Sequence, residues 1–227
     1  MAAPVPIAPG AIGLAGTREH PVVPTTRTAR LWHGWLLESV GRFSEALAER
    51  ERAVAADPLS HQNNSSLGAT LRLIGRHRDA VARFQLTLEL DPHFAAAHSG
   101  LGWTYLEMGR VEEAIGALEE AVRLSNGNIR ALAALGHAFG VAKRSAEARA
   151  ILQTLEQRSR QRYIAPLLLA WVHAGLGQRD AAFERLEEAY REDSPGLLHI
   201  KADPPLQSLR TDPRFRQLLL RMNLPVE

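Results

Sequence analysis

Nine histidines could hold a metal or move a proton, but they are spread along the whole chain. His93 and His98 are the closest pair, five residues apart, and no carboxylate joins them at a ligand spacing. Gly100-Leu101-Gly102 and Gly175-Leu176-Gly177 echo a nucleotide-binding fingerprint, yet both lack its third glycine and neither follows a strand-like stretch. There is no G-x-S-x-G elbow, no phosphate loop, no H-E-x-x-H and no cysteine. Acidic pairs such as Glu112-Glu113, Glu119-Glu120 and Glu187-Glu188 return at similar intervals and read as solvated faces. The tryptophans behave differently. Trp35, Trp103 and Trp171 are evenly spaced along the chain, and Trp32 lies one helical turn before Trp35. Aromatic anchors at a fixed interval, with small polar residues between them, suit recognition of a peptide better than catalysis.

The interval comes from a repeat of half that length. Gly34, Gly68, Gly102, Gly136 and Ala170 form one evenly spaced column. Ala46, Ala80, Ala114, Ala148 and Ala182 form a second at the same period, and Gly41, Gly75, Gly109, Lys143 and Gly177 a third. Arg42, Arg76, Arg110, Arg144 and Gln178 follow directly. Self-similarity at a fixed period of this size is the signature of a repeat architecture. Each unit reads as a helical hairpin. Leu67, Leu71 and Ile74 recur at helical spacing, and so do Val81, Phe84 and Leu88 after Gly75. Gly75 is suited to the left-handed conformation that ends the first helix, and Asp79 to capping the start of the second. Asp57-Pro58 and Asp91-Pro92 close two units, because the residue before proline is driven out of the helical region. The glycine and alanine columns are expected on facing sides of the two helices.

These columns resemble the tetratricopeptide repeat, a helix–turn–helix module of the same period, over residues 27–196. The resemblance implies an all-α fold: a right-handed superhelix of five repeats at 27–60, 61–94, 95–128, 129–162 and 163–196. His33, Arg50 and His173 depart from the family's apolar positions, and Asn126, Arg160 and Ser194 replace its closing proline. Residues 1–26 are rich in Ala and Pro, lack helical periodicity and are expected to be disordered. The column pattern stops after the fifth unit. Asp212-Pro213 then starts a last helix whose Phe215, Leu218 and Leu219 make one apolar stripe. Residues 197–227 are therefore expected to cap the array's open end. Their sequence also resembles the segment that closes the repeat region of many bacterial signalling proteins of the winged-helix, nucleotide-cyclase or Ser/Thr-kinase types.

In tetratricopeptide arrays the first helix of each unit lines the concave side. The resemblance thus places Trp35, Ala69, Trp103, His137 and Trp171 in one column of the groove. Ser99 and Leu106 flank Trp103, Trp32 flanks Trp35, and neighbouring columns bring Gln62, Ser65, Ser66, Arg72 and Arg130. Two readings of the tryptophans stand: anchors for a partner, or wedges between adjacent first helices that set the curvature. The carboxylate clamp of the tetratricopeptide co-chaperones is absent, since Leu31, Trp35, Ser66, Ala96 and Gly100 occupy its places. The arginine row either meets phosphates or caps first-helix C-termini, where a cation faces the negative end of the dipole. With a formal net charge of only +2, capping is the preferred reading and nucleic acid is not the expected partner. The longest apolar run, Ile164 to Val172, is nine residues, well short of the roughly twenty that span a membrane. The expected function is a non-catalytic, cofactor-free scaffold in the cytoplasm, presenting its groove to a peptide or helix of a partner protein. The alternative is a regulatory or self-assembly module of a bacterial signalling system whose effector is a separate chain or was lost upstream.

Overall fold

The computed structural model describes residues 33, 34, 36–38, 41–201 and 203–224. The Ala/Pro-rich segment 1–26, Trp32 and Trp35 lie outside the described residues. Everything regular in the described part is helical. The helices are α1 (Phe43–Ala56), α2 (His61–Leu73), α3 (His77–Leu90), α4 (Ala95–Glu107), α5 (Val111–Leu124), α6 (Ile129–Val141), α7 (Ser145–Ser159), α8 (Pro166–Gly175), α9 (Arg179–Arg191) and α10 (Pro213–Arg221). Two 3-10 helices, Pro195–His199 and Pro204–Leu209, join α9 to α10.

The second helices start at Phe43, His77, Val111, Ser145 and Arg179, each one repeat period after the last. The register then runs on past the sequence columns, because α10 begins one further period after α9, at Pro213. The C-terminal segment is thus a sixth, degenerate unit. Its second helix survives, and its first is replaced by 3-10 turns around Pro204-Pro205, whose rings cannot sit inside an α-helix. Leu206, Leu209, Phe215 and Leu218 are buried in the same core as Phe183, Leu186 and Trp171, so this unit covers the fifth.

The small-residue columns do what their positions imply. All five alanines of the second column are fully buried. A β-carbon on Gly102 would come within 2.4 Å of Leu118, and one on Gly68 within 3.0 Å of Phe84. The turn column is left-handed throughout, with φ of +77° at Gly41, +79° at Gly75, +74° at Gly109 and +72° at Gly177. Lys143 holds the same conformation at +63°, although it carries a side chain.

The arginine row is arranged differently from expectation. Each arginine closes the first helix with its backbone, as Arg76 N–H does by donating to Leu71 O at 2.9 Å. Its guanidinium turns forward instead, onto the acid three residues on: Arg42 to Glu45, Arg76 to Asp79, Arg110 to Glu113, Arg144 to Glu147. Asp79 therefore pairs with Arg76 at 2.7 Å, while remaining in the first turn of α3. In units three and four the same guanidiniums lie over the aromatic ring five residues back, Arg110 over Tyr105 and Arg144 over Phe139. Unit five departs at both positions together. His173 replaces the ring, Gln178 replaces the arginine, and His173 Nδ1 and Gln178 Oε1 are 2.8 Å apart. The departure in unit one is also matched, as buried Arg50 fills the space beside Gly34 and reaches Glu38 at 3.3 Å.

One junction breaks the regular stacking. Between units one and two, two and three, and three and four, the second helix of one unit packs on the first helix of the next. Between units four and five this contact nearly vanishes, and α6 packs along α8 instead. Gly140 and Gly175 permit it: a β-carbon on Gly175 would lie 2.4 Å from the His137 carbonyl oxygen, and one on Gly140 2.4 Å from the Gly175 carbonyl carbon. The helix α8 also starts later than the period asks, at Pro166, where a missing N–H does no harm.

Candidate functional site

The concave wall is built by α2, α4 and α6. On α2, Gln62, Ser65, Ser66, Ala69 and Arg72 share one face at spacings of three and four. Ser60 fixes where that helix begins, its hydroxyl accepting from Asn63 N–H at 3.3 Å. On α4, Ser99, Trp103 and Leu106 occupy the equivalent face. Asn128 starts α6, its side-chain oxygen accepting from Arg130 N–H at 2.9 Å, which sets Arg130 in the first turn at the groove's rim. Arg72 reaches across to Glu107 at 2.7 Å, and His77 Nε2 lies 3.3 Å from the same carboxylate. That ion pair ties α2 to α4.

The tryptophan column assembles at its C-terminal end. The Trp103 ring lies 5.7 Å from His137 and 5.6 Å from Trp171, edge to face in the second case. Arg130 lies over the Trp171 ring at 4.8 Å. The three column members nevertheless have different environments. Trp171 is 1% exposed and His137 8%, both sealed by the α6–α8 contact, whereas Trp103 is only half-buried. His137 Nδ1 lies 2.9 Å from the Trp171 carbonyl oxygen, which can only accept, so the neutral ring carries its proton on Nδ1. Burial pushes the His137 pKa down to about 4 against this hydrogen bond, so the ring is neutral at pH 7.

Gln62, Ser65, Ser66, Ala69, Arg72, Ser99, Trp103, Arg130 and Trp171 line one cavity of about 400 Å³. Leu106 and His137 line a second of about 350 Å³, with Glu107 and Val141. Trp103, Pro204 and Pro205 belong to both, so the C-terminal turn reaches into the groove and divides it. Sequence reasoning placed residues 197–227 at the end of the array and missed this second role. One signal was available: Pro205 stands one repeat period after Trp171, in the tryptophan column itself.

Asp203 enters the groove with the prolines and is 8% exposed. Burial pushes its carboxyl up to about 6 from an ordinary 3.8, opposed by Arg130, the Trp171 indole, Arg72 and Arg210. The indole favours the ionised form by proximity, but Trp171 Nε1 and Asp203 Oδ2 are both buried without a hydrogen bond of normal geometry. A carboxyl held in this state is expensive to keep, and perturbed groups of this kind gather at functional sites.

Fold and groove together define the class of protein. Residues 74–138 match the family model described as Tetratricopeptide repeat, and residues 130–192 match that of Anaphase-promoting complex subunit 5. The chain has the fold of an α-solenoid of tetratricopeptide repeats. Among solved structures it is similar to TTC0263, a thermophilic TPR protein of Thermus thermophilus, at 19% identity and a TM-score of 0.64. That match covers 80% of this chain and 99% of the other. It is also similar to MamA (22% identity, TM-score 0.51, 72% of this chain and 96% of that one). The O-GlcNAc transferase of Thermobaculum terrenum matches 63% of this chain with 28% of its own length, at 24% identity and a TM-score of 0.53. These likenesses concern the fold alone. No curated protein matches the sequence.

Proposed function

We propose that this protein is a non-catalytic scaffold that binds a segment of a partner protein in its concave groove, between Gln62 and Trp103. Tetratricopeptide arrays are typically interaction modules, and no helix among the described residues is long and apolar enough to cross a membrane. The observation that carries the reading is the cavity of about 400 Å³, walled by a half-buried tryptophan, three serines and two arginines. It combines an aromatic anchor with adaptable polar groups, the composition of a recognition surface. The resemblance of the tail to those of bacterial signalling proteins supports a regulatory setting for the module. A cysteine-free chain suits a reducing cytoplasm.

Ser99→Arg tests the site. It fills the cavity without removing a packed side chain, so the melting temperature should hold while affinity for a partner captured from the native lysate falls at least about thirtyfold. Trp103→Ala should cause a similar loss, together with a lower melting temperature, because Trp103 also supports His137 and Trp171. Full-strength binding by a stable Ser99→Arg variant would remove the groove as the binding site.

A further inference from the structure

The shape and chemistry of the divided groove narrow what can occupy it. A helix is about 10–12 Å across with its side chains. The bridge from Pro204-Pro205 toward Trp103 interrupts the course such a helix would follow. An extended segment fits the open half, but the wall gives it little backbone pairing: the N–H and C=O groups of α2, α4 and α6 are bonded within their helices, leaving only hydroxyls, Gln62 and the arginines. A buried segment with unpaired N–H groups is penalised. Proline has no N–H to leave unpaired, and its polyproline II conformation is preformed and packs on aromatic rings.

Charge sets the second requirement. Arg72 is matched by Glu107. Arg130 makes no ion pair within 4 Å among the described residues; it stacks on Trp171 and feels Asp203 only at longer range. A carboxylate from outside can reach it. The chain's own Asp203-Pro204-Pro205 already lines the closed end of the cavity with this combination.

We propose that the cavity between Gln62 and Arg130 docks an extended partner segment in which an acidic residue is followed by prolines, seated on Trp103 with its carboxylate on Arg130. This deepens the groove reading above and rests on it. The probe is a twelve-residue peptide of three Ser-Asp-Pro-Pro repeats, titrated by fluorescence anisotropy against the full chain. Two counterparts carry Lys for Asp or Ala for Pro. The acidic proline peptide should bind at least tenfold more tightly than either counterpart, Ser99→Arg should abolish binding, and Arg130→Gln should erase the preference for Asp over Lys. Equal binding of the three peptides, or no binding at millimolar concentration, overturns the proposal. Tighter binding by a peptide of residues 1–26 also overturns it, and makes this chain's own proline-rich segment the occupant. A random dodecapeptide selection separates this proposal from the broader reading. Ligands that need an unblocked Ser99 but lack the acid–proline pattern leave the groove standing and remove only its stated partner. A selection in which no ligand depends on Ser99 removes both.

Discussion

Units two to four and units four to five solve the same stacking problem in two ways. In the first region each second helix supports the next first helix, leaving the concave faces of α2 and α4 open and Trp103 half-buried. At the junction between units four and five α8 leaves α7 and lies against α6, with Gly140 and Gly175 meeting nearly backbone to backbone. Trp171 and His137 are sealed by that shift, and the following turn is delivered into the groove. The same tryptophan column is therefore open in the middle of the array, where we propose recognition, and packed as a wedge toward its end. The wedge reading describes Trp171 and His137, and the proposed anchor role is confined to Trp103.

Breaking the junction between units four and five should have the largest effect. Gly175→Val puts a branched side chain where even a β-carbon would lie 2.4 Å from the His137 carbonyl. It should destabilise the chain by about 3 kcal/mol in urea titration, and Trp171 should become accessible to a fluorescence quencher. Gly116→Ala, on a face of α5 where a β-carbon meets nothing within 4 Å, should leave stability unchanged or raise it by roughly 0.5–1 kcal/mol. Similar losses from both variants would show that the α6–α8 approach is not special.

The next effect depends on pH and separates two opposed groups. The folded-state pKa of Asp203 is raised, to about 6, so its contribution is present in full below about 4 and is lost as pH rises through 6. That of His137 is lowered, to about 4 from 6.5, so the unfolded chain takes up its proton first and stability falls as pH drops through 6.5 toward 4. The two slopes nearly cancel, and the native protein should keep a level stability between about pH 4.5 and 7. Asp203→Asn removes one slope and no helix cap, since the Asp203 side chain makes no capping hydrogen bond. It should raise stability at about pH 8 by about 1–3 kcal/mol and expose a steep loss on acidification. A variant as level as the native chain would mean that Asp203 is not buried in the groove.

The smallest effect lies at the turn before α7. Lys143→Gly relieves a left-handed backbone and brings the fourth unit into line with the others, for a gain of about 1 kcal/mol. Thermal melts that show no gain would mean the lysine side chain makes a compensating contact.

The repeat, its helices and its turns were legible in the sequence because they are set by neighbours along the chain. Small residues recurring once per unit mark close helix contacts, Gly75 and its equivalents take a left-handed φ, and Asp212-Pro213 carries a local helix-start signal. The column Trp35, Ala69, Trp103, His137, Trp171 was legible for the same reason. What each described member of that column does was decided in three dimensions. Gly140 and Gly175 resemble the other glycines in sequence, and only the packed structure shows that they meet each other and turn α8 inward. The forward pairing of Arg76 with Asp79 was open to the eye, yet a dipole cap was equally consistent with the same residues. Asp203, Pro204 and Pro205 lie far along the chain from α2, α4 and α6, the helices whose groove they enter. Local propensity says nothing about such a partner, because the entry depends on how every preceding helix is stacked.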